Sequence, residues 1–469
     1  MRRRSGWARL SWAPCPGRRS PVARGSKLRR VAATRQEQRT GQGRIGLKEA
    51  ISIGIGGMVG GGIFAVLGLA VSLAKGGTPV AFLIAGCIAL ITSYSYVKLS
   101  LAYPDSGGTV RFIDQGFGTT VFSGAINNLL WVSYIIMLSL YASAFGSYAP
   151  NLLSITGDRS FDFHIYATAI IVLATVINYY SIAVVGRIES YAVIIKLVIL
   201  LGFVGIGVYG LFSDPNVGQL AFDQWESPLK LFAGAMVIFV AYEGFELIAN
   251  AAPDIVSPQR NIPRAYYGAV IFVMLLYIVI AIVTVGSLAF DRVAKAQDYV
   301  LAEAARPVLG QVGFTIITIA ALISTFSAIN ASLLGGSRVN NEIAEDDELP
   351  KHFTARLWGQ PIGLLITAVA TVIVVNAFGL ESISTAGSIG FIGIFGIVNI
   401  VGVKLHRAIG ARRAIPLSGA ILCFIALAVL VHQEVTDDLT GVLLSAGIIG
   451  ACFAMEWGYK RSEGARENG

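Results

Sequence analysis

Two carboxylates three residues apart, Glu243 and Glu246, lie inside the apolar run "LFAGAMVIFVAYEGFELIANAAPDI", on either side of Gly244. A carboxylate at the centre of a membrane span costs about 2.5–3.5 kcal/mol on insertion scales. Such a pair therefore belongs on a polar interior, where it can hold a proton or a cation. An ammonium, Lys196, is the one charge in "YAVIIKLVILLGFVGIG" and poses the same problem with the opposite sign. The third feature is "GGMVGGGIF", Gly56 to Phe64; six of the nine residues from Gly54 to Gly62 are glycine. Each glycine costs a helix about 0.8–1 kcal/mol relative to alanine. A helix broken there would offer backbone N–H groups to an anion and C=O groups to a cation, a pair suited to a zwitterion. The competing reading of the glycines is close helix packing through small residues.

The elements that must position these groups are membrane helices. Of the 469 residues 55% are hydrophobic and 14% charged, against about 25% charged in a soluble chain. Twelve apolar runs, from 48–73 to 439–459, are each long enough for a bilayer core of about 30 Å. A soluble bundle would need polar helix faces, and segments such as "IVLATVINYYSIAVV" have none.

Other chemistry finds no support. The cysteines Cys15, Cys87, Cys423 and Cys452 have no disulfide or metal spacing, and the four histidines are scattered. Neither a nucleophile–base pair nor a phosphate loop is present, so no enzyme, cofactor or metal is expected. Thirteen of the 36 basic residues and one of the 28 acidic ones fall in residues 1–46, which leaves the remainder slightly acidic. The tail, 1–44, is rich in Arg, Pro, Gly and Ser and reads as disordered. An anionic-lipid arm, a targeting segment and a nucleic-acid arm are the functional readings of it. The expectation here is that it does little and that nucleic acid is no partner, with a true start nearer Ile45, which would leave it untranslated, as an open alternative. With twelve spans both termini share one side. That side carries fourteen loop Arg or Lys beyond the tail against six opposite, which predicts cytoplasmic termini in an inner or plasma membrane.

Interruptions in spans one and six, five spans apart, are the pattern of an inverted-repeat secondary transporter with a midplane site. The motifs then resemble a family. "GGMVGGGIF", "PDSGGTVRFIDQGFG" (Pro104–Gly118), "FVAYEGFELIANAAPDIVSPQRNIPRA" (Phe239–Ala265) and "SRVNNEIAEDDELPKHF" (Ser337–Phe353) are similar, in order, to motifs of the amino acid–polyamine–organocation superfamily. The resemblance runs from Ile45 to near His406. It implies an all-α membrane protein of about twelve helices with the leucine-transporter fold. Residues 45–212 and 228–406 would be five-span inverted repeats with helices one and six broken, and 412–460 would add two accessory spans.

Carried over residue by residue, the resemblance implies that the backbone N–H groups of Gly60, Gly61 and Gly62 hold a substrate carboxylate. Gly61 stands where serine is common, so the backbone must suffice. The substrate amine would sit on carbonyls of Met58, Val240, Ala241 and Glu243. Phe239 and Val240 occupy the place of a bulky gate, and Glu246 matches an acidic residue usual after the span-six glycine. Lys196 stands where sodium-coupled relatives bind sodium, so its proton would replace that ion, with Ser324 and Ser327 of span eight facing the same place. Heteromeric relatives bond a single-span partner through a cysteine after span three; residues 151–163 have none, so no disulfide-linked accessory chain is expected. The implied function is alternating-access, proton-coupled symport of an amino acid or close amine. The alternatives are an amino acid or polyamine exchanger without ion coupling, and a membrane sensor that kept the fold.

Overall fold

The computed structural model describes residues 45–180, 182–212, 215–345, 356–357 and 360–467. The basic tail and residues 346–355, which carry part of the span-eight exit motif, lie outside the described residues. Apart from a two-residue antiparallel pairing of Arg356–Leu357 with Gln360–Pro361, the described chain is helical. The first span is two helices, α1 (Leu47–Met58) and α2 (Gly62–Ala74), bent by 46°. Spans two to five are α3 (Thr78–Ala102), α5 (Val121–Tyr148), α6 (Arg159–Tyr180) and α7 (Ile182–Leu211), with a short α4 (Thr109–Phe117) after span two. Span six runs from α8 (Pro228–Val237) through a 3₁₀ stretch, Ile238–Glu246, into α9 (Leu247–Ala251). Then come α10 (Pro258–Ser287), the loop helices α11 (Phe290–Lys295) and α12 (Val300–Ala304), and α13 (Arg306–Glu345). The chain closes with α14 (Ile362–Ala377), α15 (Leu380–Lys404), α16 (Ala414–Asp437) and α17 (Leu439–Glu467).

Among the described residues ten helices are long and apolar enough to cross a membrane, and the bent α1–α2 pair makes an eleventh. The ninth apolar run is the shorter α14, of 16 residues, about 24 Å at 1.5 Å per residue. Burial divides the helices by role. α5 and span six are almost wholly enclosed, whereas α6, α7, α16 and α17 turn most of their surface outward, as helices facing lipid do.

Spans five apart in sequence touch: one with six, two with seven, three with eight and four with nine. Spans one and six meet backbone to backbone. A Cβ on Gly57 would come within 2.8 Å of the Gly244 carbonyl oxygen, and one on Gly244 would collide with the backbone of Gly57 and Met58. The glycines of span one thus serve both readings, with close packing at Gly57 and the break at Val59–Gly61.

Candidate functional site

The break leaves carbonyl groups at the end of α1 without helical partners, and in a membrane interior these must be satisfied locally. Three other spans supply the donors. Lys196 on α7 is fully buried, and its Nζ donates to the Gly56 carbonyl at 3.1 Å. Tyr277 on α10 donates to the Met58 carbonyl at 2.6 Å and reaches the Ala241 carbonyl at 3.4 Å. Ser324 on α13 donates to the Val59 carbonyl at 2.8 Å and also contacts the Gly60 carbonyl. Four carbonyls at the end of α1 and in the break, those of Gly56, Met58, Val59 and Gly60, are therefore held from spans five, seven and eight. The neighbouring Thr325 donates within its own helix, to Ala321 at 2.7 Å, whereas Ser324 crosses to span one. Ser327 is buried on the same helix.

On the far side of the break α2 begins at Gly62, and no side chain caps its first N–H groups. A helix N-terminus in that state favours an anion. Its walls come from spans three and six. A Cβ at Gly61 would fall in the ring of Tyr141, and one at Gly62 would stand 2.9 Å from the Cα of Ala241. The side chain missing at Gly61 is thus replaced by an aromatic ring from α5, which leaves the backbone as the polar surface there.

Span six stays continuous where a break was expected. Its departure is nine residues of 3₁₀ winding, longer than the three or four residues such helices ordinarily reach. Serines of α15 hold this stretch. Ser384 and Ser388 donate to the Val237 carbonyl at 2.9 and 2.7 Å, and the Val240 N–H donates to Ser388 Oγ at 3.3 Å. Phe239 turns toward span ten, edge-on to Phe395 with 5.9 Å between centroids, and Val240 packs near Gly387.

The two carboxylates have different surroundings. Glu246 accepts from Tyr134 at 2.8 Å on one oxygen, and from Thr109 at 3.0 Å and Tyr96 at 3.3 Å on the other. Glu243 is 3% exposed, and no donor reaches it among the described residues. The structure thus brings together Met58, Gly60–Gly62, Ala241, Lys196 and Ser324 around one break. It places Glu246 in a hydroxyl cradle one turn away and Phe239 in a packed aromatic cluster. Tyr141, Tyr277, Ser388 and the Glu246 cradle escape sequence reasoning. Their only signal is a hydroxyl inside an apolar run, and that says nothing of which partner it faces.

The sequence model of the amino acid permease family matches residues 45–454, which takes in the break, both carboxylates and Lys196. The chain belongs to the amino acid permease family. This permease is 34% identical over 392 residues to the inner membrane transport protein YbaT of Escherichia coli, covering 83% of this chain and 90% of that one. It is 32% identical over 409 residues to an uncharacterized protein of Methanocaldococcus jannaschii, covering 87% and 93%. It is 24% identical over 327 residues to the branched-chain amino acid permease BcaP of Lactococcus lactis, covering 65% and 69%. The permease is a multi-pass membrane transporter and not an enzyme.

Proposed function

We propose that this permease is a proton-coupled symporter of α-amino acids working by alternating access, with both termini in the cytoplasm of an inner or plasma membrane. The reading rests on the buried Lys196 ammonium, which holds the Gly56 carbonyl at the break of span one. Protonated, Lys196 and Ser324 together tie the end of α1 to spans five and eight. Deprotonated, Lys196 becomes a poorer donor and that end of span one is released. A proton with different affinity for the two states can then drive uptake.

The substrate carboxylate takes the uncapped N–H groups of Gly60–Gly62, and the amine takes span-six carbonyls near Val240 and Glu243. Because Tyr277 holds the Met58 carbonyl and reaches that of Ala241, amine binding requires Tyr277 to be displaced or to join the site. Small neutral amino acids are the expected substrates. One observation favours a second reading, a cationic amino acid or a diamine. Glu243 is buried without a donor and would gain one from a second ammonium. The permease works as a single chain, without a disulfide-linked accessory subunit.

The test is uptake of a labelled amino acid panel into proteoliposomes holding the purified chain, with and without an imposed pH gradient. Uptake driven by external acid and indifferent to sodium is the expected outcome. A strict sodium requirement, or pure counterflow with no response to the gradient, overturns the coupling.

A further inference from the structure

A cavity of about 600 Å³ lies away from the break, among the ends of α5, α6, α14 and α15 and the loop between α10 and α13. It opens on the face where spans one and three end, and its size suits a small-molecule site, typically about 300–1,000 Å³. Two opposite charges line it. Arg159 comes from the start of α6 and Asp298 from the loop before α12.

Arg159 is held in place on two sides. Its guanidinium lies 4.2 Å from the ring centroid of Tyr299, and one Nη donates to Asn151 at 3.1 Å. That leaves most of its five N–H donors for another acceptor. Asp298 has no hydrogen bond or ion pair among the described residues. The two groups lie within electrostatic reach of each other, yet they do not close into a direct ion pair. A fixed cation and an open carboxylate share one cavity with space between them.

The remaining walls are mixed. His164 and Asn376 bond each other at 2.7 Å, and Phe163 and Phe378 add apolar surface. We infer that this cavity is a second binding site for a free α-amino acid, with its carboxylate on Arg159 and its ammonium on Asp298. The recognition chemistry is the cavity's own and uses none of the groups at the break. On the cytoplasmic-termini orientation, the site would collect substrate on the outer face before it reaches the glycines.

Ser160, exposed on the cavity wall, supplies the reporter. In a Ser160→Cys chain in detergent, labelling by a water-soluble thiol reagent is followed at that peptide by mass spectrometry. The additives are L-alanine, L-leucine, L-arginine, propionate and ethylamine, each alone. The amino acids should slow labelling saturably, and propionate and ethylamine should not. Arg159→Gln and Asp298→Asn should each raise the half-protecting concentration by about tenfold or more, the loss expected for a charge-assisted hydrogen bond, while Arg159→Lys should restore part of it.

Protection should also keep its half-protecting concentration in Tyr277→Phe, which takes the hydroxyl away from the Met58 and Ala241 carbonyls at the break. Protection by propionate or ethylamine alone, or by none of the amino acids, overturns the proposal. So does a half-protecting concentration that shifts with Tyr277→Phe, because it would then report the central site. Intact protection in a chain that transports none of the three amino acids would instead count against the symporter reading and leave this site standing.

Discussion

The Nζ of Lys196 stands 3.1 Å from the carbonyl oxygen of Gly56, 140 residues away in the chain, and the lysine is fully buried. Most exits for a membrane lysine involve reaching the interface. This one is committed to the broken end of span one, so Lys196→Ala should uncouple the permease. Uptake in the variant is expected to lose its stimulation by external acid while counterflow of substrate continues. Retained accumulation driven by a pH gradient would make Lys196 a structural cation. The comparison is initial uptake at outside pH 5.5 and 7.5, on the order of two units apart so as to give a gradient of about 2.7 kcal/mol.

Ser324→Ala removes the donor to two carbonyls at the break. Leaving buried acceptors unpaired costs about 1–3 kcal/mol. The variant should therefore denature at lower temperature in detergent and transport poorly. Thr325→Ala, which removes only a bond within α13, should be milder in both. Equal effects of the two would show that the crossing to span one carries no weight.

Gly244→Ala should be far more damaging than Gly335→Ala. A Cβ at Gly244 would meet the backbone of Gly57 and Met58, whereas at Gly335 the nearest atom is a Tyr134 ring carbon at 3.6 Å. Overpacking of this kind costs about 1–3 kcal/mol, and here it would also push spans one and six apart. Monodispersity and uptake of the two variants, measured side by side, test the backbone contact directly.

The two carboxylates should respond differently to Gln. Glu246→Gln replaces an acceptor of three hydroxyls with a group that accepts through one oxygen, so stability should fall. Glu243→Gln breaks no bond among the described residues and should leave stability nearly unchanged. Its effect should appear in selectivity. An arginine-over-alanine preference that vanishes in Glu243→Gln would establish the cationic reading, and no change in preference supports neutral substrates.

Asp298 carries a pH signature outside the spans. It is exposed on the cavity wall, yet partial desolvation by the surrounding protein raises its carboxyl above the ordinary range, with Arg159 acting in opposition. A raised value means that the folded protein favours the protonated form, so stability is lost as pH rises through the folded value. Asp298→Asn should therefore be more heat-stable than the wild type at neutral pH without ligand. The difference should close as pH falls toward the ordinary carboxylate value of about 3.9. A gain that grows on acidification would contradict the assignment.

The sequence alone determined the membrane class, the break in span one and the residues that a membrane cannot tolerate without purpose. These are local properties. Apolar length fixes a span, six glycines in nine weaken a helix where they stand, and Glu243, Glu246 and Lys196 are costly whatever surrounds them. The same reasoning anticipated a break in span six, where glycine and charge also interrupt the run. There the serines of α15 hold the backbone at Val237 and Val240, and the chain winds into 3₁₀ rather than opening. Only the tertiary structure decided which carbonyl each donor meets. Ser324 lies 265 residues from Val59, and Tyr134 lies 112 from Glu246. A buried hydroxyl must find an acceptor, but its own helix and any neighbouring helix can supply one. Nothing in the spacing along the chain distinguishes them until the helices are packed.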